Sequence, residues 1–261
     1  MPHDLAEKIK IAKKKLLSLH YLTQSGHIGG NLSCLDTLMV LYHSVMQNDD
    51  RFILSKGHSA GALYVTLWSK GLLPDETLAT FCGEGTVLPS HPSGAGVPGL
   101  LFPTGSLGHG PSLAAGIALA LKHNEKAGTV YCLCSDGEWQ EGSCWEALNF
   151  AVRHRLNNLI LLVDQNGLQG FGTTKEVIGF ADLAPRFTTF GASVLSVNGH
   201  NPVAIIAAIM AAGGNRPRVI VLNTCKGHGL YFEDRLESHY LPMTKEQYEE
   251  GLRRIQEETT L

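Results

Sequence analysis

Val130-Tyr-Cys-Leu-Cys-Ser-Asp-Gly-Glu-Trp-Gln-Glu-Gly142 joins a short apolar run to a polar, glycine-flanked turn. Such a run reads as a strand buried on both faces. The pattern recurs downstream. Leu159-Ile-Leu-Leu-Val163 leads into Asp164-Gln-Asn-Gly-Leu-Gln-Gly170, and Val219-Ile-Val-Leu222 leads into Asn223-Thr-Cys-Lys-Gly-His-Gly229. Val194-Leu-Ser-Val197 supplies a further strand. Helical spacing covers Ser112–Lys126, Ser143–His154 and Pro202–Ala212, the last with proline in its first turn. Strands separated by helices predict an α/β fold, a doubly wound parallel sheet with helices on both faces.

The N-terminal half is more helical. Asp4-Leu-Ala-Glu7 has the form of a capping box, and Leu5, Ile9, Ala12, Leu16 and Leu19 then share one helix face. A glycine-rich turn follows, Ser25-Gly-His-Ile-Gly-Gly30. Asn31 or Ser33 is the expected cap of the next helix, whose apolar face includes Leu35, Leu38, Met39 and Tyr42. Another helix is expected over His58–Lys70, ended by Gly71 and Pro74. Cys82 to Gly110 is rich in Gly, Pro, Ser and His and has no periodicity. So long a loop is usually functional or disordered, and the chemistry-capable residues at its ends favour function. A charged surface helix is expected over Lys245–Glu258.

Composition limits what the chain can be. Its 261 residues are 44% hydrophobic and 17% charged, enough apolar sequence for a core without disulfides. A net charge of -3 gives no pull toward nucleic acid or anionic membrane. No apolar stretch has the length of a membrane span, and Met1–Leu19 lacks the form of a secretory signal. The six cysteines show neither CxxC nor zinc spacing and read as reduced thiols of a cytoplasmic protein. Glycine, 29 residues, exceeds its usual share of about 7%.

Ligands of such sheets bind beyond the carboxyl ends of the strands. Asp136 offers a carboxylate there and Asn166 an amide oxygen. Both are hard ligands, suited to magnesium or calcium rather than zinc. The helix beginning near Ser143 can present free N–H groups to an anion. A metal-diphosphate site is one reading of this set, and ordinary turn residues beside glycine are the other. Gly105-Ser-Leu-Gly-His-Gly110 has only a GxxGxG pattern, and no Walker sequence is present, so dinucleotide and P-loop readings are weak. His27, His58, His91 and His109 all lie beside Gly, Pro or Ser. An imidazole with its ordinary pKa of about 6.5 can exchange a proton with a reacting oxygen.

The chain resembles the transketolase family. The resemblance rests on Ser25-Gly-His-Ile-Gly29, Ser55-Lys-Gly-His58, Leu88-Pro-Ser-His-Pro92, Thr104-Gly-Ser-Leu-Gly108, Asp136-Gly-Glu-Trp-Gln-Glu-Gly142 and Val163-Asp-Gln-Asn-Gly-Leu168, six motifs in family order. It runs from about residue 10 to 242 and implies one thiamine diphosphate-binding domain of the diphosphate (PP) type over residues 1–261, with an N-terminal helical segment. It implies that Asp136, Asn166 and the Leu168 carbonyl bind magnesium or calcium. It implies that His58, Gly105, Ser106, Leu107 and Gly137 contact thiamine diphosphate. His27, His58 and His91 match histidines of the substrate channel. Glu141 matches an acid near the subunit interface, where family members link two active sites. His239 matches, across a one-residue gap, a histidine that contacts diphosphate and substrate, with His228 as competitor. Ser135 stands where the family has the first glycine of GDG, and His109 where glutamine is common.

The implied reaction is transfer of a two-carbon ketol group from a ketose, a sugar phosphate or a related sugar, to an aldose. The family's second, pyrimidine-binding domain is not in this sequence. The resemblance therefore implies a separate C-terminal subunit, an α2β2 assembly, and no activity from this chain alone. The rival readings are a subunit of a deoxyxylulose phosphate synthase-like or 2-oxo acid dehydrogenase-like enzyme, and a non-catalytic subunit that stabilises a partner.

Overall fold

The computed structural model describes residues 2–94, 96–179, 182–230 and 232–257. Its strands are β1 (Arg51–Leu54), β2 (Val130–Ser135), β3 (Leu159–Gln165), β4 (Leu168–Gln169), β5 (Gly172–Thr173), β6 (Ser193–Asn198) and β7 (Arg218–Asn223). Five of them form one sheet in the order β1-β2-β3-β7-β6, every neighbouring pair parallel. β4 and β5 make a small antiparallel hairpin just after β3.

Alternation along the strands feeds two cores. Phe52, Leu54, Tyr131, Leu133, Ile160, Leu162, Ile220 and Leu222 belong to one. Ile53, Cys132, Cys134, Leu159, Leu161, Val163, Val219 and Val221 belong to the other. The helices are α1 (Pro2–Thr23), α2 (Ile28–Val40), α3 (Ala60–Ser69), α4 (Asp75–Leu78), α5 (Gly110–His123), α6 (Gly142–Arg153), α7 (Thr174–Ile178), α8 (Ala184–Thr189), α9 (Pro202–Met210), α10 (Glu237–Tyr240) and α11 (Lys245–Glu257). α1, α2, α3, α9 and α11 cover the first core through residues such as Leu16, Leu35, Leu63, Ile205 and Ile255. α5, α6 and α8 cover the second through Ala114, Leu148 and Phe187. The sheet is therefore doubly wound, as its sequence pattern predicts. Full burial of each such Leu or Phe contributes about 1.5–3 kcal/mol.

α2 is buried along its whole length, polar residues included. This overturns the expected cap. Asn31 and Ser33 lie inside the helix, because tertiary partners satisfy their side chains. Asn31 Nδ2 donates to the His27 and His58 carbonyls at 2.8 and 3.1 Å, and Oδ1 accepts from Ala62 N at 2.7 Å. The residue at the cap is His27. α1 likewise starts at Pro2, so Asp4 sits inside its first turn and pairs with Lys8 at 2.7 Å. His58 lies in a 3-10 turn, Gly57–Ser59, and the α-helix begins after it.

β1, the β4–β5 hairpin, α7 and α8 were not foreseen. Each is too short to show a period of its own. The stretch between Cys82 and Gly110 holds no helix or strand among the described residues, as expected. Glu258, the expected end of the last helix, lies outside the described residues.

Candidate active site

The polar turns after β2 and β3 close on each other through backbone amides. Asp136 Oδ1 accepts from its neighbour Gly137 N at 2.7 Å, and Oδ2 accepts from Gly167 N at 2.6 Å. Asp136 is 4% exposed. Burial, then repulsion from Asp164, pushes its carboxyl up to about 6, against the pull of the two amides. Asn166 Oδ1 accepts from Leu168 N at 3.1 Å. The Leu168 carbonyl accepts from Lys226 Nζ at 3.2 Å. The turn thus gathers a carboxylate, an amide oxygen and a backbone carbonyl, each with lone-pair capacity left. A buried carboxylate held by N–H groups alone is a good place for a cation. These hard oxygens fit magnesium or calcium.

The turn after β2 is pinned by its own sequence. Trp139 sits in the second core, its ring 4.5 Å from Phe187 and 5.1 Å from Trp145. Trp145 Nε1 donates to the Trp139 carbonyl at 2.7 Å. Glu138 is buried beside it. It accepts from the Ser55 hydroxyl, from Gly108 N at 2.8 Å and from Ser135 N at 3.2 Å, and so fastens the 105–108 segment to the end of β2. The α-helix α6 starts only at Gly142, after the exposed Glu141. The helical turn that follows Asp136 directly is the 3-10 turn Gly137–Gln140, which stands between Asp136 and the helix expected to begin near Ser143.

Beneath the oxygen set lies Asp164. Lys56 pairs with it, and both side chains are fully buried. Ser33 Oγ donates to Asp164 at 2.6 Å, Asn166 Nδ2 at 3.2 Å, and Thr224 Oγ1 also donates. Burial works to raise the Asp164 carboxyl, but Lys56 and the hydroxyls outweigh it and hold the group below its ordinary value. Burial works equally against the Lys56 ammonium, which Asp164 holds above its ordinary value.

Four histidines converge beside this floor. The His27 ring lies 5.6 Å from His58, 5.6 Å from His91 and 5.0 Å from His239, and His58 lies 6.0 Å from His239. Burial is the main cause of a lowered pKa in each. His27 falls to about 4 and His239 to about 3, and His58 lies well below its ordinary value. Neighbouring cations and imidazoles push the same way for His27, His58 and His239. The rings are neutral at pH 7 and can donate or accept hydrogen bonds without carrying charge. His27 adopts φ 67°, a left-handed conformation uncommon outside glycine, and its Nδ1 is buried without a hydrogen-bond partner among the described residues. Unusual backbone of this kind concentrates at functional sites. Lys226 Nζ lies 2.7 Å from His239 Nδ1. A charged lysine can only donate, so Nδ1 is the acceptor and the ring proton sits on Nε2.

The sequence-predicted residues divide as follows. His27, His58, His91 and His239 come together. His228 does not join them, and stacks on His200 instead. Asp136, Gly137, Asn166 and Leu168 share the polar turns. Gly105 borders the cluster: with φ 155°, a Cβ there would stand 3.2 Å from the His91 ring. Leu107 is half-buried on the same segment, and the exposed Ser106 lines, with Gly105, Pro103, Thr104, His109 and Leu113, a groove of about 530 Å³. Glu141 lies exposed at the edge of the turn. Lys56, Glu138, Asp164 and Lys226 were missed as site residues. All four are buried, against the rule that places such residues at the surface, and only their place at strand ends marked them.

Fold and site together define a parallel α/β domain that can hold a metal and an anion beyond its strand ends, under a roof of neutral imidazoles. Comparisons with known proteins give the family. Residues 7–255 match the family "Transketolase, thiamine diphosphate binding domain". An apulose-4-phosphate transketolase subunit of Phocaeicola vulgatus is 38% identical over 257 residues, 94% of this chain and 91% of that protein. The 6-deoxy-6-sulfo-D-fructose transketolase subunit SqwG of a Clostridium species is 38% identical over 267 residues, 98% of this chain and 97% of that protein. The solved transketolase of Leishmania mexicana matches with TM-score 0.88 and 26% identity over 98% of this chain. The chain spans 41% of that protein's length. The chain belongs to the transketolase family, as its thiamine diphosphate-binding domain.

Proposed function

We propose that this chain is one subunit of a two-subunit transketolase. It moves a two-carbon ketol group from a ketose to an aldose with thiamine diphosphate and Mg2+ or Ca2+. Residues 1–261 act as one diphosphate-binding domain. The observation that carries the reading is the joining, through Lys226, of two features, the hard-oxygen turns at Asp136 and Asn166 and the neutral histidine cluster.

Asp136, Asn166 and the Leu168 carbonyl would hold the metal. Its charge would relieve the buried Asp136 carboxylate, which accepts from two backbone amides, Gly137 N and Gly167 N. Lys226 would turn from the Leu168 carbonyl and His239 toward the diphosphate. Bound cofactor supplies the electron sink for cleavage next to the ketose carbonyl. Gly105, Ser106, Leu107, Gly137 and His58 contact it. His27, His58, His91 and His239 hydrogen-bond the sugar's hydroxyl and carbonyl oxygens and shuttle protons as charge develops there. Neutral rings suit this task, because a charged ring would repel the Lys226 ammonium nearby.

The relatives' names point to ketoses with an anionic far end, a phosphate in one and a sulfonate in the other. We assign this chain a ketose of that class. Exposed apolar side chains, Phe171 at 88% and Leu241 at 56%, suit contact with a second subunit that supplies the pyrimidine-binding domain, in an α2β2 assembly with Glu141 at the interface. Six free thiols suit a cytoplasmic setting. The test is reconstitution. The purified chain alone should transfer no ketol group, and adding its pyrimidine-domain partner should restore transfer. Steady transfer by the chain alone would overturn the proposal.

A further inference from the structure

Away from the active site, three metal-ligating side chains meet where β6 and β7 run into their loops. His200 follows β6, and Cys225 and His228 follow β7. One ring nitrogen of each histidine and Cys225 Sγ lie within 4.8 Å of one another. All three residues are half-buried, so an ion can reach them. The two imidazoles stack at 3.6 Å and 17°.

The hydrogen bonds prepare His200 as a ligand. Its Nδ1 lies 2.8 Å from Asp36 Oδ2, and its Nε2 lies 2.9 Å from Cys225 N. A carboxylate accepts and a backbone N–H donates, so the proton sits on Nδ1 and Nε2 carries the lone pair. A carboxylate on the far nitrogen is the usual support of a metal-bound histidine. His228 has a carboxylate in the same position, with Nδ1 3.1 Å from Glu233 Oε1. That pair is out of line, and His228 Nδ1 is buried with no hydrogen bond among the described residues. Asp36, Glu233 and Asp234 surround the cluster with negative charge, opposed by Lys13.

We propose that His200, Cys225 and His228 form a second metal site, for one zinc-class divalent ion. Two imidazoles and a thiol are a borderline-soft set, chemically distinct from the hard oxygens of the Asp136 turn. On binding, Cys225 releases its thiol proton to solvent, His200 Nε2 exchanges the Cys225 N–H for the ion, and water fills the fourth position. Zinc bonds of roughly 2.0–2.3 Å require the His228 ring to turn out of its stack with His200, so that both lone pairs meet the ion, and the cluster then tightens. The ion ties α2, through Asp36, to the loops after β6 and β7, and it braces the segment that carries Lys226. Sequence spacing hid this set because its ligands come from two separate strand ends.

Cobalt titration of the reduced, metal-free full chain tests the site. Co2+ should produce a thiolate-to-metal band in the near ultraviolet, and Zn2+ should abolish it at one ion per chain. Cys225→Ser should remove the band. Cys82→Ser, at the other half-buried thiol, and Asp136→Ala should leave it in place. His228→Ala should weaken Zn2+ binding at least tenfold, with circular dichroism confirming that each metal-free variant is folded. Absence of the thiolate band in the unaltered chain, or its survival in folded Cys225→Ser, would overturn the proposal.

Discussion

Replacing Lys56 with methionine tests the ionic floor on which the site stands. Lys56 and Asp164 are both 0% exposed. Removing one partner of such a pair strands the other charge in a dry interior, at a cost of about 3–5 kcal/mol. Here Asp164 keeps three donors, from Ser33, Thr224 and Asn166. The Gly30 carbonyl, which accepts from Lys56 Nζ at 2.9 Å, keeps the Ser59 hydroxyl at 2.8 Å. Both facts place the loss at the lower end, about 3 kcal/mol. Lys56→Met with Asp164→Asn removes the stranded charge and should recover at least ~1 kcal/mol of that loss. Urea unfolding at pH 7, with an unchanged m value, measures both. The pH trend adds a sign. In the natural chain the depressed Asp164 carboxyl contributes stability above the ordinary carboxylate range, lost as pH falls through its folded value. In Lys56→Met the unpaired carboxyl rises instead, so that variant should gain on the natural chain as pH falls from 7 to 5. A loss under ~1 kcal/mol, or a double variant no better than the single one, would show that the Lys56–Asp164 pair does not carry the floor of the site.

Three further outcomes are expected. His20 is 2% exposed and burial lowers its pKa from 6.5 to about 4. Its contribution, about 3 kcal/mol, is fully present above pH 6.5 and is lost as pH falls toward 4. His20→Leu should flatten that limb of the stability curve, and equal slopes in the two proteins would refute the assignment. Gly57→Ala would set a Cβ 2.6 Å from the Thr104 carbonyl and displace the Gly105 segment. It should cost about 1–3 kcal/mol of stability and weaken thiamine diphosphate binding, read by thermal unfolding and by titration. Lys226→Met should raise the cofactor Kd about tenfold or more, the worth of one charge-assisted hydrogen bond, and an unchanged Kd would remove Lys226 from the site.

The sheet was legible because its interior strands are buried on both faces. Runs such as Leu159–Val163 have few other readings, and Asp136 and Asn166 stand out at their ends. β1 was not legible, because four residues between polar neighbours carry no period. The cap of α2 was misread for a related reason. Asn31 and Ser33 have the side chains of capping residues, but contacts with Asp164, His58 and Ala62, distant in sequence, use those side chains instead. Burial of Lys56, Glu138, Asp164 and Lys226 was equally hidden, since the partners that make it tolerable are far apart in the chain. His239 and His228 could be separated only in space, where one joins His27 and His58 and the other stacks on His200.

On the proposed function this chain holds the metal and diphosphate end of the cofactor. Calorimetric titration of the chain, assembled with its pyrimidine-domain partner, by thiamine diphosphate with and without Mg2+ tests it most directly. Binding should require the metal, and Asp136→Ala should abolish it while the assembly stays intact. Binding of equal strength without divalent metal, or undiminished in Asp136→Ala, would contradict it.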